Sequence, residues 1–283
     1  MSNLKFTAMK RTSLFFAASL MIMATISFTS CQKDEETDPI VTIAEQDDDA
    51  NAYFDDVLTE VDDLTMVSNS KDFTEASNTL GQGTRTRKTT WISNTERIDS
   101  ITYQNYVNGN SRFERVKNGL VIIHVWGNPL QNEFVREISF KNFTINGNAI
   151  EGTKRIVKTA QYSFTVTLQN GKVTFTDGTT YTRSFERIRT WADGFATPYN
   201  IWDDVYTIEG TATGVNRKGY TYTHQITNAL MIKLNCRWIV QGTIDMTLDG
   251  KTATLDYGNG ECDNIATVTA NGKTWEIRLR GGN

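Results

Sequence analysis

The hydrophobic pattern separates a long C-terminal region with a period of two from a shorter N-terminal region without it. From Trp91 onward, apolar and polar residues alternate, as in residues 162–168, 230–240 and 275–279. This alternation is typical of strands with one buried and one wet face. Few positions between 91 and 280 fit a helical period. Residues 91–283 are therefore predicted to form an all-β domain.

Glycine-containing pairs separate the predicted strands. Asn170-Gly171, Asp249-Gly250 and Asn271-Gly272 can each hold positive φ, as two-residue hairpin turns require. Weaker turn signals occur at Asn108-Gly109, Asn118-Gly119, Asn146-Gly147 and Asp177-Gly178. The predicted fold is mainly β, an antiparallel meander that forms a sandwich, an open barrel or a long curled sheet.

A helical period precedes this domain. Apolar residues recur at steps of three and four, which predicts one amphipathic helix over residues 47–68. They are Tyr53, Phe54, Val57, Leu58, Val61 and Leu64. The aspartates at 47–49 suit its N-terminus, and the other acids lie on its wet face. Residues 31–46 are predicted to be an acidic tether, and the polar residues 69–90 a linker.

The N-terminus has the pattern of a secretory signal. Lys10 and Arg11 precede an apolar run over residues 14–28, which ends just before Cys31. A spanning helix needs about 20 apolar residues, so this run favours a cleaved signal peptide over residues 1–30. Cys31 is then the predicted site of lipidation, with acyl chains such as palmitate. The alternative is an ordinary signal peptide beside a chance cysteine.

The residues after Cys31 form a candidate export signal. Lys33, Asp34 and Glu35 resemble the lysine-and-acid export signal of surface lipoproteins of the Bacteroidota. This resemblance implies a lipid-anchored protein on the outer face of the outer membrane. If the stretch is only a polar tether, a periplasmic location remains open.

Two C-terminal blocks strengthen the resemblance. They are Cys236-Arg237-Trp238 and the run Asp256-Tyr257-Gly258-Asn259-Gly260-Glu261-Cys262-Asp263-Asn264. With these blocks, residues 112–280 resemble a group of uncharacterised Bacteroidota lipoproteins. The resemblance supports the location and the fold, and it implies no activity.

Charge is distributed unevenly along the chain. Residues 32–78 hold 15 acidic and 2 basic residues, whereas residues 79–283 hold 24 basic and 18 acidic ones. An acidic tether stays solvated and is repelled by anionic membrane surfaces. The basic charge of the β domain is weak and scattered, so nucleic acid is not a predicted partner.

The two remaining cysteines predict one disulfide. In an exported chain, Cys236 and Cys262 are most simply explained as a bridged pair. A metal site built on them lacks further ligands, because the chain has only two histidines, His124 and His224.

No motif predicts an enzyme. His124 is expected on one face of a strand and His224 at an exposed strand position, without a G-x-S-x-G elbow. Paired carboxylates of a glycoside hydrolase remain an alternative. The candidates are Asp203, Asp204, Glu186 and Glu209.

Two stretches are candidate ligand sites. Trp191 and Trp202 flank a loop containing Gly194 and are the tryptophans predicted to be most exposed, where they would contact a ligand such as a glycan. Asp256, Glu261 and Asp263 are rich enough in oxygen to suggest a structural Ca²⁺, although a tight hairpin explains the same residues.

The predicted function is that of a non-enzymatic binding, adhesion or structural module held at the membrane by its N-terminal lipid. Its expected partner is a glycan or a surface protein. The alternatives are a glycan-binding accessory protein and a β-fold glycan hydrolase.

Overall fold

The structure is a computed structural model that describes Val41, the backbone of residues 73–76, and residues 83–107, 115–197 and 200–279. The predicted signal peptide, Cys31, the residues Lys33, Asp34 and Glu35, and the predicted helix 47–68 lie outside the described residues. Within this described part, no helix has both the length and the apolarity to cross a membrane.

In the described residues, fourteen strands form one antiparallel sheet in which every strand pairs with its neighbours in sequence. They are β1 (Phe73–Ala76), β2 (Thr84–Ser93), β3 (Glu96–Val107), β4 (Val116–Trp126), β5 (Val135–Ile145), β6 (Asn148–Ala160), β7 (Ser163–Thr174), β8 (Thr180–Asp193), β9 (Val205–Val215), β10 (Thr221–Lys233), β11 (Ile239–Leu248), β12 (Lys251–Asn259), β13 (Ile265–Ala270) and β14 (Lys273–Arg278). The prediction of an antiparallel β meander is confirmed. Of the arrangements left open, the structure has a single sheet that does not close, with β1 and β14 at its edges.

Asn-Gly and Asp-Gly pairs serve two purposes in this sheet. Asn146-Gly147, Asp249-Gly250 and Asn271-Gly272 are hairpin turns with positive φ at both residues, as such turns require. Asn170-Gly171 instead lies inside β7, where the register slips between Leu168 and Gly171. The prediction of a turn there was wrong, because Asn170 uses its positive φ for a β-bulge.

Three further glycines mark bulges. Gly152, Gly210 and Gly242 have positive φ, and each lies where a strand slips its register against a neighbour. A Cβ at Gly210 would be 2.2 Å from the carbonyl oxygen of Glu186, so only glycine fits this close approach. Each glycine stands in a short Ile/Val-Glu/Gln-Gly-Thr repeat of the sequence, and the bulges account for that repeat.

The core lies on one face of the sheet, which we call the inner face. Pairing across neighbouring strands aligns Asp99, Ile123, Ile138, Lys154 and Leu168 in one row. All five side chains are buried, although two of them carry charge. The inner face therefore combines an apolar core with buried charges.

The sheet begins earlier than the boundary at residue 91. β1 and the first seven residues of β2 lie within residues 69–90, which the sequence suggested as a linker. In β2 the residues facing the core are Arg85 and Arg87, so the strand has no alternating apolar signal. Val41, inside the predicted tether, is helical and buried among the core side chains.

Candidate functional site

Exposed hydrophobic residues gather at one end of the sheet. In a meander, alternate connections share an end, and the connections β2–β3, β4–β5, β6–β7, β8–β9, β10–β11 and β12–β13 define what we call the loop end. Most of the exposed large hydrophobic residues of the described chain lie there. They are Trp91, Ile92, Leu130, Phe195 and Trp202. A contiguous apolar patch marks an interaction surface, and Phe195 and Trp202 are the two of these residues that share one connection, β8–β9.

An aromatic cluster organises the loop end around β8. The rings of Phe195 and Tyr162 stack with centroids 4.7 Å apart, and Trp191 meets the edge of Tyr162 at 6.1 Å. On its other side Trp191 lies parallel to Tyr206, again at 6.1 Å. Such ring pairs add stability beyond the area they bury. Phe195 is held by this cluster and is still 43% exposed.

The loop between β8 and β9 is shaped by Gly194 and a short helix. Gly194 has φ +92°, and a Cβ there would lie 2.5 Å from a carboxylate oxygen of Asp204. The 3-10 helix Ile201–Asp203 follows, with the Asn200 side chain accepting a hydrogen bond from the Trp202 N–H. The Thr197 hydroxyl donates to Asp203. These local bonds position Trp202 at the surface.

Asp204 anchors the same loop from inside. Its carboxylate is buried and accepts a hydrogen bond of 3.1 Å from the Tyr206 hydroxyl. Its backbone carbonyl accepts from the Leu234 N–H at 3.0 Å, which ties the loop to the β10–β11 connection. Burial raises the pKa of this carboxyl above its ordinary value.

The two predicted ligand-contact tryptophans have different surroundings. Trp202 is 49% exposed on the 3-10 helix, whereas Trp191 is partly buried inside the aromatic cluster. Among the described rings, Trp191 contacts Tyr162, Phe195 and Tyr206 but not Trp202. The structure thus places both residues at the loop end without joining their rings.

Sequence reasoning missed Trp91 at the tip of β2. Trp91 and Ile92 are each 55% exposed and, with Ser93 and Asn94, form a shallow, open part of the surface. The Arg97 guanidinium lies 5.6 Å from the centre of the Trp91 ring. Adjacent strand residues point to opposite faces, so the Trp91-Ile92 pair itself signalled an exposed apolar side chain.

The predicted disulfide is present and braces the loop end. Cys236 and Cys262 are bonded and join the β10–β11 and β12–β13 connections. The Lys233 ammonium donates a 2.8 Å hydrogen bond to the carbonyl of Gly260 in the same region. The loop end is therefore cross-linked beside its aromatic part.

The oxygen-rich stretch 256–264 uses its side chains on its own backbone. Asp256 accepts from the Gly258 N–H, and Asp263 accepts from the Ile265 N–H, at 2.8 and 2.9 Å. Within the described chain, no three His, Cys, Asp or Glu side chains are grouped as a metal site would require. The calcium site near Asp256, Glu261 and Asp263 stays a prediction.

The candidate acid–base residues lie on several strands and in one loop. His124 Nε2 lies 2.8 Å from Glu96 Oε1, and its ring stacks on Trp126 with centroids 3.9 Å apart. His224, expected at an exposed position, is buried, because the alternation of β10 places it on the inner face beside Tyr222. Glu186 and Glu209 are exposed diagonal neighbours on the paired strands β8 and β9, whereas Asp204 is buried.

Comparison with protein-family models found no match to this chain. Neither a curated protein nor a solved structure matches it. The fold and the aromatic loop end are therefore interpreted from their own geometry.

Proposed function

We propose that this protein is a non-enzymatic binding module that engages its partner through the loop end. The observation that carries this proposal is the exposure of Phe195 and Trp202 on one loop, with the Phe195 ring stacked on Tyr162. Exposed aromatic side chains that are already ordered lose little conformational freedom on binding, and aromatic residues are enriched among binding hot spots.

A glycan is the ligand class we propose first, with a surface protein as the alternative. Flat aromatic faces stack on the C–H faces of sugar rings, while neighbouring polar groups bind hydroxyls. The loop end offers both kinds of group, since Asn200 and Asp203 are exposed beside Trp202. A glycan hydrolase with the diagonal pair Glu186 and Glu209 as its carboxylates is the less favoured alternative, since both residues lie in mid-strand, away from the loop end.

Attachment to a membrane is the second part of the proposal. We infer that lipid on Cys31 anchors the chain and that Lys33, Asp34 and Glu35 direct it to the outer face of the outer membrane. The support is the order of basic residues, apolar run, cysteine and lysine-acid signal in the sequence. External protease added to whole cells should then degrade the protein, while a periplasmic control protein survives.

A binding screen tests the ligand. The purified full chain is applied to arrays of glycans and of surface proteins, and positives are measured in solution by calorimetry. We expect binding to one glycan class that is competed by the free sugar. Binding to a protein alone would support the surface-protein alternative. Turnover of a glycan without stable binding would overturn the proposal.

A further inference from the structure

We propose that two neighbouring segments at the loop end, residues 91–95 and 126–132, insert together into the headgroup layer of a lipid bilayer. We call these two segments the apolar tip. The tip is separate from the loop that bears Phe195 and Trp202, so this inference does not depend on the proposed ligand. It is based on the exposure of the tip, on the hydrogen bond that joins its segments, and on its lack of charge.

The apolar tip holds three large apolar side chains in water. Trp91 and Ile92 are each 55% exposed, and Leu130 is 86% exposed. Leu130 has the highest exposed fraction among the exposed large hydrophobic residues of the described chain. Leucine and isoleucine favour the hydrocarbon of a bilayer, and tryptophan is enriched where the hydrocarbon meets the headgroups. These side chains therefore match the two layers that a shallow insertion would reach.

Strand pairing brings the two segments of the tip together. Ser93 at the end of β2 pairs with Glu96, and Glu96 pairs with Trp126 at the end of β4. The Thr95 carbonyl accepts a 2.9 Å hydrogen bond from the Gly127 N–H, so the β2–β3 turn is bonded directly to the β4–β5 connection. The three apolar side chains thus belong to one hydrogen-bonded unit at the end of the sheet.

No residue of the apolar tip carries a charge. Its segments are Trp91-Ile92-Ser93-Asn94-Thr95 and Trp126-Gly127-Asn128-Pro129-Leu130-Gln131-Asn132. Moving an ionised side chain out of water is costly, and the tip avoids that cost. The opposite end of the sheet differs, because its β9–β10 turn contains Arg217 and Lys218. The loop end is therefore the end suited to an apolar environment.

The backbone of the second segment is already hydrogen-bonded within the protein. The Leu130 N–H donates to the Asn128 side chain at 3.0 Å, and the Gln131 N–H donates to the Asn128 carbonyl at 2.9 Å. Pro129 has no N–H that needs an acceptor. Peptide groups that keep their partners add little cost when water is removed. This loop can therefore bring Leu130 into the bilayer interface without rearranging.

Charged groups beside the tip are of both signs. Glu96 and Arg97 follow the first segment, and Glu133 follows the second. The Lys158 ammonium donates a 3.0 Å hydrogen bond to the Pro129 carbonyl. These two acids and two bases together give no net attraction to anionic lipid. Insertion should therefore depend on apolar contact and should occur on an uncharged phosphatidylcholine bilayer.

The shape of the tip favours a fluid surface over a rigid partner. Trp91 and Ile92 form, with Ser93 and Asn94, a shallow and open part of the surface. Adjacent residues of a strand point to opposite faces, so Trp91 and Ile92 present apolar groups on both sides of the strand end. A flat protein surface would cover one side only, whereas lipid surrounds both. The partner we infer is therefore a bilayer.

Vesicle binding by the full chain tests this inference. Every sample carries Cys31→Ala, so that no acyl chain contributes, and the N-terminal apolar run is the same in all variants. Ile92→Ser combined with Leu130→Ser should weaken partitioning onto phosphatidylcholine vesicles at least about tenfold, because two apolar side chains no longer leave water. The control, Val215→Ser combined with Tyr220→Ser, changes exposed residues at the opposite end and should partition like its parent.

A fluorescent label in the tip measures insertion itself. In the Cys31→Ala chain the other cysteines, Cys236 and Cys262, are bonded, so Asn94→Cys supplies a single thiol for a nitrobenzoxadiazole fluorophore. On addition of phosphatidylcholine vesicles, we expect its emission to rise, to shift to the blue and to be quenched by nitroxides on the lipid acyl chains. The same label at Lys218→Cys, at the opposite end, should show none of these changes.

Three results would overturn the inference. One is equal partitioning of the Ile92, Leu130 double variant and its parent. Another is an Asn94 label that stays in water while the chain is bound to vesicles. The third is binding that occurs only on vesicles containing anionic phosphatidylglycerol, because charge rather than apolar contact would then hold the chain. None of these results bears on ligand binding by the loop between β8 and β9, so the two proposals fail separately.

Discussion

The carboxylate of Asp99 lies 2.8 Å from the guanidinium of Arg87, and both side chains are buried on the inner face of the sheet. Arg97 Nε reaches the same carboxylate oxygen at 3.0 Å, and the Thr89 hydroxyl donates to the other oxygen at 2.8 Å. A charged cluster is thus built into a face that also carries the hydrophobic core. Its energetics follow the rules for buried ion pairs rather than those for surface ones.

Replacing the shared carboxylate should be costly. Asp99→Asn leaves Arg87 and Arg97 buried without their common anion, and we expect a loss of about 3–5 kcal/mol in the free energy of unfolding. Urea denaturation measures it. Glu276→Gln is the control, because this exposed residue should change stability by less than about 0.5 kcal/mol. A loss below about 1 kcal/mol for Asp99→Asn would contradict the prediction.

The disulfide at the loop end should stabilise the fold. Cys236 and Cys262 are 26 residues apart, and in the chain-entropy model their bridge contributes about 3–4 kcal/mol. The double variant Cys236→Ser, Cys262→Ser should therefore unfold at lower urea than the oxidised wild type. Thiol titration of the denatured, unreduced wild type should find no free thiol at either position, and two free thiols there would refute the bridge.

Aromatic residues of the loop end should carry ligand affinity. Phe195→Ala and Trp202→Ala are expected to weaken binding of the screened ligand about tenfold or more each, with little change in melting temperature. Tyr220→Ala is a matched control, since Tyr220 is as exposed as Phe195 but lies in the β9–β10 connection at the opposite end. Equal losses for all three variants would place the binding site elsewhere.

The buried carboxyl of Asp204 should make stability depend on pH. Burial raises its pKa in the folded state above the ordinary 3.8. The folded state binds the proton of Asp204 more tightly than the unfolded state does. The resulting contribution to the free energy of unfolding is fully present below pH 3.8 and is lost as the pH rises through the folded-state pKa. Asp204→Asn holds no such proton, and its amide oxygen can still accept from Tyr206.

The pH dependence is measured as a difference between two unfolding curves. The free energy of unfolding of Asp204→Asn minus that of the wild type should be larger at about pH 7 than at about pH 3. Urea denaturation at both values measures the gain. A stability difference that does not change with pH would mean that Asp204 does not titrate above its ordinary range.

The N-terminal cysteine should decide membrane attachment. Cys31→Ala is expected to abolish incorporation of labelled fatty acid and to release the protein from the membrane fraction or leave its signal uncleaved. Changing the exposed Asn94 to Ala serves as a control that should keep both properties. Unchanged labelling and partitioning of Cys31→Ala would exclude lipid anchoring at this residue.

The sequence predicted some features and missed others for physical reasons. Ile244, Met246 and Leu248 alternate with polar residues, so β11 was visible from its period of two. β2 was not visible, because its core-facing Arg85 and Arg87 look like surface residues in the sequence. Apolar–polar alternation predicts a strand only where the buried positions are apolar, and this sheet buries charged residues at some of them.

At the loop end the prediction was partial for a related reason. Trp202 was correctly expected at the surface, since it lies in a polar loop, and it is 49% exposed. The sequence predicts the same exposure for Trp191, but this ring is packed between Tyr162 and Tyr206. Tyr162 lies in the β6–β7 turn and Tyr206 on strand β9. Contacts between side chains distant in sequence decide which of these two tryptophans is exposed.

The sequence by itself determined the local features of this protein: the alternation that makes strands, the Asn-Gly and Asp-Gly pairs that turn them, and the cysteine pair available for a bridge. These follow from the backbone preferences and polarity of adjacent residues. Only the tertiary structure decided the register, since bulges at residues such as Gly152 and Gly210 shift one strand against the next. That register lines up buried cations on the inner face and collects exposed aromatic residues at the loop end, because both depend on pairing between distant strands.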